Sequence, residues 1–359
     1  MANFVTFGEA LLRLSPPNHQ RLARPAGHYK LGPAGAELNV ACALANWNND
    51  VRYVTALPVT NPLADMLLSE MQSYGIDTKH VMRREGRVGL VFVETGAGQR
   101  PSRVHYDRSY SSISLAPSSE YDWDEIFAAA THLHISGITP ALSKNAADAT
   151  IEAAKHAKQM GLHVSCDINF RSKLWQWDTE RSGRDLAKKI MGEILPELNL
   201  LIANETDLTD VLGLHAETAE GEIDIEAFAC LARRAADTFP NLSHVAITLR
   251  ESLSATHNRW GAILLERPDD QLYIAPENEG VYAPYNIDMI VDRVGAGDAF
   301  AAGLLHALGS DQYRTPSKAL DFAVAASCLA HSIPGDINHS NLSEIGELTE
   351  GNHTGRVVR

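Results

Sequence analysis

Short runs of apolar and β-branched residues alternate with segments whose apolar positions recur every three or four residues. Asn3 to Phe7 predicts a first strand, Ala36 to Trp47 a small-residue helix, and Val51 to Leu57 a second strand. Leu63, Leu67, Leu68 and Met71 fall at helical spacing, and Gly75 closes that helix. The series continues with strand His132–Ser136, helix Ser143–Met160 ended by Gly161, strand Leu162–Asp167 and strand Leu200–Ala203. Helix Ile225–Phe239, strand His244–Thr248, and helices Ala299–Leu308 and Ser317–His331 complete it. Such alternation predicts an α/β fold: a mostly parallel sheet with helices on both faces.

Two regions break the pattern. Residues 12–33 are rich in proline and polar groups. Residues 88–112 hold two strand-like runs, Gly89–Glu94 and Arg103–Tyr106, around the turn signal Gly96-Ala97-Gly98. Both read as antiparallel strands outside the main sheet, forming a small lid, with a plain surface hairpin as the other possibility. Residues 1–340 then make one domain, and 341–359 a peripheral polar tail. Projecting strands expose unpaired edges, so a homo-oligomer, a dimer or higher, is expected.

The chain has 359 residues, 45% of them hydrophobic, enough to bury a large core. Its net charge of -14 argues against nucleic acid as a partner. Cys42, Cys166, Cys230 and Cys328 are widely spaced and read as buried thiols of a reduced, cytoplasmic protein. Neither a secretory leader nor a membrane span is evident.

The chemistry concentrates at Asp292-Arg293-Val294-Gly295-Ala296-Gly297-Asp298, between the apolar pair Ile290-Val291 and a helix striped by Phe300, Leu304, Leu305 and Leu308. Glycines at a helix start leave bare N–H groups for a phosphate, because the first turn has unpaired donors and a partial positive charge. A carboxylate beside them suits removal of a hydroxyl proton. Taken alone, the run also fits a glycine turn with an aspartate cap, worth about 1 kcal/mol. It is neither a dinucleotide fingerprint, since Phe300 takes the third glycine position, nor a Walker A motif.

This stretch resembles the C-terminal signature of the PfkB/ribokinase carbohydrate kinases, close to D-T-x-G-A-G-D. Gly35-Ala36-Glu37-Leu38-Asn39-Val40-Ala41 resembles their N-terminal signature, and Asn204-Glu205-Thr206-Asp207 their mid-chain acidic segment. Within the family, Tyr106-Asp107-Arg108-Ser109-Tyr110-Ser111-Ser112 is similar to the lid segment of 2-keto-3-deoxygluconate kinases. Asp167-Ile168-Asn169-Phe170-Arg171, with Leu174-Trp175, is similar to their D-x-N-x-R-x-x-L-W segment.

The resemblance implies a ribokinase-like three-layer α/β/α sandwich with a small lid. It implies ATP-dependent phosphorylation of the terminal hydroxyl of 2-dehydro-3-deoxy-D-gluconate. Asp298 would be the general base, and the Gly295, Ala296 and Gly297 backbone the anion hole. Gly35, Ala36, Asn39, Tyr106 and Asp336 would line the sugar-acid site, with Arg108 and Arg171 offering guanidinium forks to its carboxylate. Asn204, Thr248, Arg250, Gly295, Gly297, Ala325 and Cys328 would contact ATP. Glu205 would meet Mg²⁺ through water, and Asp292 a monovalent cation such as K⁺. Exposed arginines and a simple helix cap at Asn204 are the plain readings that compete.

Several positions depart from the pattern. Arg293 replaces the usual threonine, either adding charge near the phosphates or pointing to solvent. Val91 stands where a lid tyrosine is common, Ala34 replaces the first glycine of a pair, and Arg250–Pro268 lacks a glycine-rich nucleotide loop. His105, His132 and His134 fit strand alternation better than a metal cluster. Alternatives are a kinase for fructose, ribose or 2-dehydro-3-deoxygalactonate on the same fold, and a sugar- or nucleotide-binding protein without catalysis.

Overall fold

The computed structural model describes residues 3–24, 27–216 and 223–351. In chain order the main strands are β1 (Asn3–Phe7), β2 (Leu11–Ser15), β3 (Lys30–Ala34), β4 (Asp50–Pro58), β5 (Val81–Arg84), β6 (Gly89–Glu94), β7 (Arg103–Asp107), β8 (His132–Ser136), β9 (His163–Asp167), β10 (Leu200–Asn204), β11 (His244–Ser254), β12 (His257–Glu266) and β13 (Gln271–Ala275). The longer helices are α1 (Ala36–Asn46), α2 (Pro62–Ser73), α3 (Lys144–Gln159), α4 (Gly183–Ile194), α5 (Ile225–Thr238), α6 (Ala296–Leu308), α7 (Pro316–Ala330) and α8 (Leu342–Thr349).

The central sheet runs β13-β12-β11-β10-β9-β8-β1-β4-β5, and Tyr285–Ile287 pairs with β12. It is parallel from β5 through β11 and antiparallel at the β11–β12–β13 edge. Alternate residues of one strand serve opposite faces, as the two-residue period of a pleated strand requires. Leu201 and Ala203 of β10 pack among residues of α3, α4 and α5, whereas Leu200 and Ile202 pack among residues of α1, α2, α6 and α7. These are the two cores of a three-layer sandwich.

The second sheet, β3-β2-β6-β7, is the expected lid, but it is mixed. β2 pairs with β3, and β6 with β7, as antiparallel ladders, while β2 and β6 run parallel. The expectation of purely antiparallel strands therefore holds within each pair and fails at the β2–β6 seam that joins them. Asn338 and Ser340, just before the expected tail, are buried, and within it α8 sends Ile345 into the core. Residues 352–359 of that tail lie outside the described residues. Cys42 and Cys166 are buried as expected, but Cys230 is exposed and Cys328 half-buried. Among the described residues, no helix is long and apolar enough to cross a membrane.

Candidate active site

Open α/β sheets bind ligands beyond the carboxyl ends of their strands. Here a cleft of about 560 Å³ lies beyond the ends of β9, β10 and β11, roofed by Tyr106 and Val104 of the lid. Its floor is the start of α6. Gly295 is the N-cap residue, with φ of 86°, and no side chain caps the helix. A Cβ on Gly295 would lie 2.0 Å from the backbone oxygen of Asp336, so only glycine fits this close approach. Gly297 differs, since a Cβ there would meet open space. The first-turn N–H groups therefore face the cleft without intrahelical partners. Ser327 of α7 braces this turn by donating its hydroxyl to the Ala296 carbonyl at 2.7 Å.

Asp298 lies one residue past Gly297. Asn39 of α1 donates its amide to Asp298 Oδ2 at 2.7 Å. Burial, with Asp336 and Glu37 nearby, pushes the Asp298 carboxyl up to about 7, against the opposing effects of Asn39 and Arg171. A carboxylate so poised can take a proton at neutral pH. Asn39 Oδ1 and Asn169 Oδ1 are buried acceptors with no protein partner, and both residues line the cleft. Such orphans suit the hydroxyls of a polyol.

Gly35 and Ala36 line the cleft beside Asn39. Gly35 has φ of 138°, and a Cβ would lie 2.2 Å from the Glu9 carbonyl oxygen. Arg108 is buried and gives its Nε–H to Glu9 Oε2, while its guanidinium stands 5.9 Å from the Tyr106 ring. Arg171 is exposed to the cleft and donates Nη1 to the Phe170 carbonyl at 3.1 Å. Arg250 and Arg293 line the same cleft. Loss of hydration, with Arg293 and Arg171 nearby, lowers the pKa of Arg250. No carboxylate pairs with Arg171, Arg250 or Arg293 among the described residues, although the chain is strongly acidic overall. Three unneutralised guanidiniums at one cleft suit a polyanionic ligand. Arg293 donates Nη2 to Ser254 O and Asn258 Oδ1 at 3.2 and 3.0 Å, so it lies along the cleft wall.

Asn204 proves to be a helix cap. Its Oδ1 accepts from Asp207 N at 3.0 Å, and Asp207 returns the bond to the Asn204 amide. Asn204, Glu205 and Asp207 all line the cleft, and Asp207 is already engaged by the Asn204 and Phe170 amides. Among the described residues, no three acidic, histidine or cysteine side chains converge on one point to hold a metal. That donor set fits an ion held mainly by phosphates and water, with one carboxylate in its shell. Thr248 lines the cleft midway along β11, where its pairing with β10 ends, but Ala325 of α7 does not, being fully buried in the core. Cys328 is likewise away from the cleft, and burial pushes its thiol up to about 12. The small-residue face of α7 here packs on α6. His132 and His134 are strand residues whose burial pushes them down to about 4 and about 3.

Trp260 and His331 line the cleft although no sequence motif points to them, and Asp167 lines it at the head of the Asp167–Arg171 segment. Burial, with Asp207 and Asp298 nearby, holds the Asp167 carboxyl well above the usual range. Arg13 was missed altogether, although a lone arginine inside Leu11-Leu12-Arg13-Leu14 was a visible signal. It donates Nη2 to Asp292 Oδ2 at 2.6 Å and Nη1 to Asp336 Oδ1.

The family model described as pfkB family carbohydrate kinase matches residues 1–235 and 240–342. The 2-dehydro-3-deoxygalactonokinase of Haloferax volcanii is 29% identical over 99% of this chain and 98% of its own. The 2-dehydro-3-deoxygluconokinase of Bacillus subtilis is 27% identical over 84% of this chain and 81% of its own. The crystal structure of 2-dehydro-3-deoxygluconokinase from Thermotoga maritima superposes with a TM-score of 0.87. It is 40% identical, covering 98% of this chain and 100% of that one.

Proposed function

Because this chain belongs to the pfkB family of carbohydrate kinases, we propose that it transfers the γ-phosphoryl group of ATP to the terminal hydroxyl of 2-dehydro-3-deoxy-D-gluconate. Its placement of Asp298 beside the uncapped start of α6 is the observation that carries this reading. Asp298 takes the proton of the attacking hydroxyl, a step worth roughly 10²–10⁴-fold. The amides of Gly295, Ala296 and Gly297 stabilise charge on the transferring group. Asn39 holds Asp298 in place and presents its Oδ1 to the sugar.

Arg171, Arg250 and Arg293 supply positive charge toward substrate and triphosphate. Arg171 is the freer candidate for the sugar carboxylate, since Glu9 already occupies one N–H of Arg108. Asp336 faces the sugar side of the cleft but is held by Arg13. Glu205 would meet Mg²⁺ through water beside the triphosphate, and the ion would supply charge neutralisation there.

A second reading, the 2-dehydro-3-deoxygalactonate epimer, is favoured by the Haloferax relative, which spans nearly the whole chain. A coupled ADP-release assay across both sugar acids, fructose and ribose tests the proposal. Expected is turnover on a 2-keto-3-deoxy sugar acid far above that on neutral sugars. Arg171→Ala should raise KM for the acid by at least tenfold, or about 1.4 kcal/mol, with little change for a neutral sugar. Faster turnover on fructose or ribose than on either acid overturns it.

A further inference from the structure

The family resemblance places a monovalent cation at Asp292, yet the donor set does not fit one. An ionised carboxylate offers about four lone-pair sites. At Asp292, Oδ1 accepts from the amides of Arg293 and Val294 at 2.9 and 3.2 Å. Its Oδ2 accepts from Arg13 Nη2 at 2.6 Å and from the Gly335 amide at 3.3 Å. Every site on this carboxylate is thus taken by an N–H donor. The neighbouring His331 carbonyl is occupied as well, by the amides of Val291 and Asp292 at 2.8 and 3.3 Å.

The positive charge at this place comes from the chain itself. Arg13 is buried on β2 of the lid, donates Nε to Ser15 Oγ at 2.8 Å, and bridges Asp292 and Asp336. Burial alone disfavours its charged form, but Asp336 and Asp292 more than offset this, and the net shift is upward. Both bridged residues act on the anion hole. Asp292 folds the Arg293–Val294 turn that leads into Gly295, and the Asp336 backbone is what a Cβ at Gly295 would strike.

We propose that the Arg13 guanidinium stands permanently where a dissociable cation would otherwise neutralise Asp292, so the enzyme needs no monovalent ion. Arg13 is a positioning residue: it touches no reacting atom and sets the loop that forms the anion hole. The inference rests on the kinase reading for its turnover arm alone. Nucleotide binding and melting temperature read it without any sugar.

The test begins with wild-type protein exchanged into tetramethylammonium buffer, then titrated with K⁺ or Na⁺ to about 0.1 M at constant ionic strength. An ion that binds the folded state raises Tm and tightens coupled ligands by mass action. Expected are an ATP Kd and a turnover within about twofold throughout, and no Tm change specific to K⁺. A saturable K⁺ response of more than about fivefold in either, or a K⁺-specific rise in Tm, overturns the proposal. Arg13→Gln should bind ATP at least tenfold more weakly and regain affinity as K⁺ or guanidinium is added. A variant with wild-type affinity and no cation response also overturns it. Should Arg13→Gln fail to fold, Arg13→Lys and the wild-type titration still decide.

Discussion

Asp298 keeps its proton up to about neutral pH because burial and two neighbouring carboxylates oppose its ionisation. Only the deprotonated form accepts a proton, so activity should rise with pH through about 7 and level off above it. Below that value kcat/KM should fall about tenfold per pH unit, which a pH–rate profile would show. Asp298→Asn should lower kcat by about 10²–10⁴-fold while ATP still binds, measured by turnover beside nucleotide titration. The same scale explains what sequence could not supply. Arg13 meets Asp292 and Asp336 across 279 and 323 residues of chain, and no local spacing encodes such contacts. Asn204 is legible as both a cap and a ligand; its reciprocal bonds with Asp207 make it a cap, and it also lines the cleft.

The two glycines at the start of α6, Gly295 and Gly297, do different work, and their alanine variants should part accordingly. Gly295→Ala places a Cβ in the Asp336 backbone at positive φ, so it should lower Tm and activity together. Gly297→Ala meets open space, so Tm should hold while kcat falls, because the methyl intrudes where a phosphate approaches. Thermal unfolding and steady-state kinetics on both variants check this. Periodicity located most elements closely, for example β8 and α5, whose apolar faces are regular. It missed α4, although Leu186, Ala187, Ile190, Met191 and Ile194 form one buried face behind a Ser182 cap. It also missed β12 and β13. The β12 run from Trp260 to Leu265 is buried on both faces, so it lacks the alternation that marks a half-exposed strand. That antiparallel edge includes Arg250–Pro268, the region without the family's glycine-rich nucleotide loop.

For the molecule as a whole, the lid leaves β3 and β7 as sheet edges, and Tyr29 and Leu31 are exposed at the β3 side. A homodimer that covers this face is expected, and Leu31→Asp should shift sedimentation toward the monomer. A monomeric wild-type profile at working concentration would count against it. The parallel pairing of β2 with β6 means that the roof of the cleft is woven from two segments far apart in sequence. Specificity engineering by graft must therefore move residues 11–34 and 89–107 as one piece. Donor and host must also agree at positions 13, 292 and 336. A graft of the second hairpin alone would swap the sugar-facing surface while breaking the ladder that aims it. Redesign of substrate choice in this scaffold should therefore carry Arg13, Asp292 and Asp336 along with the lid that Arg13 belongs to.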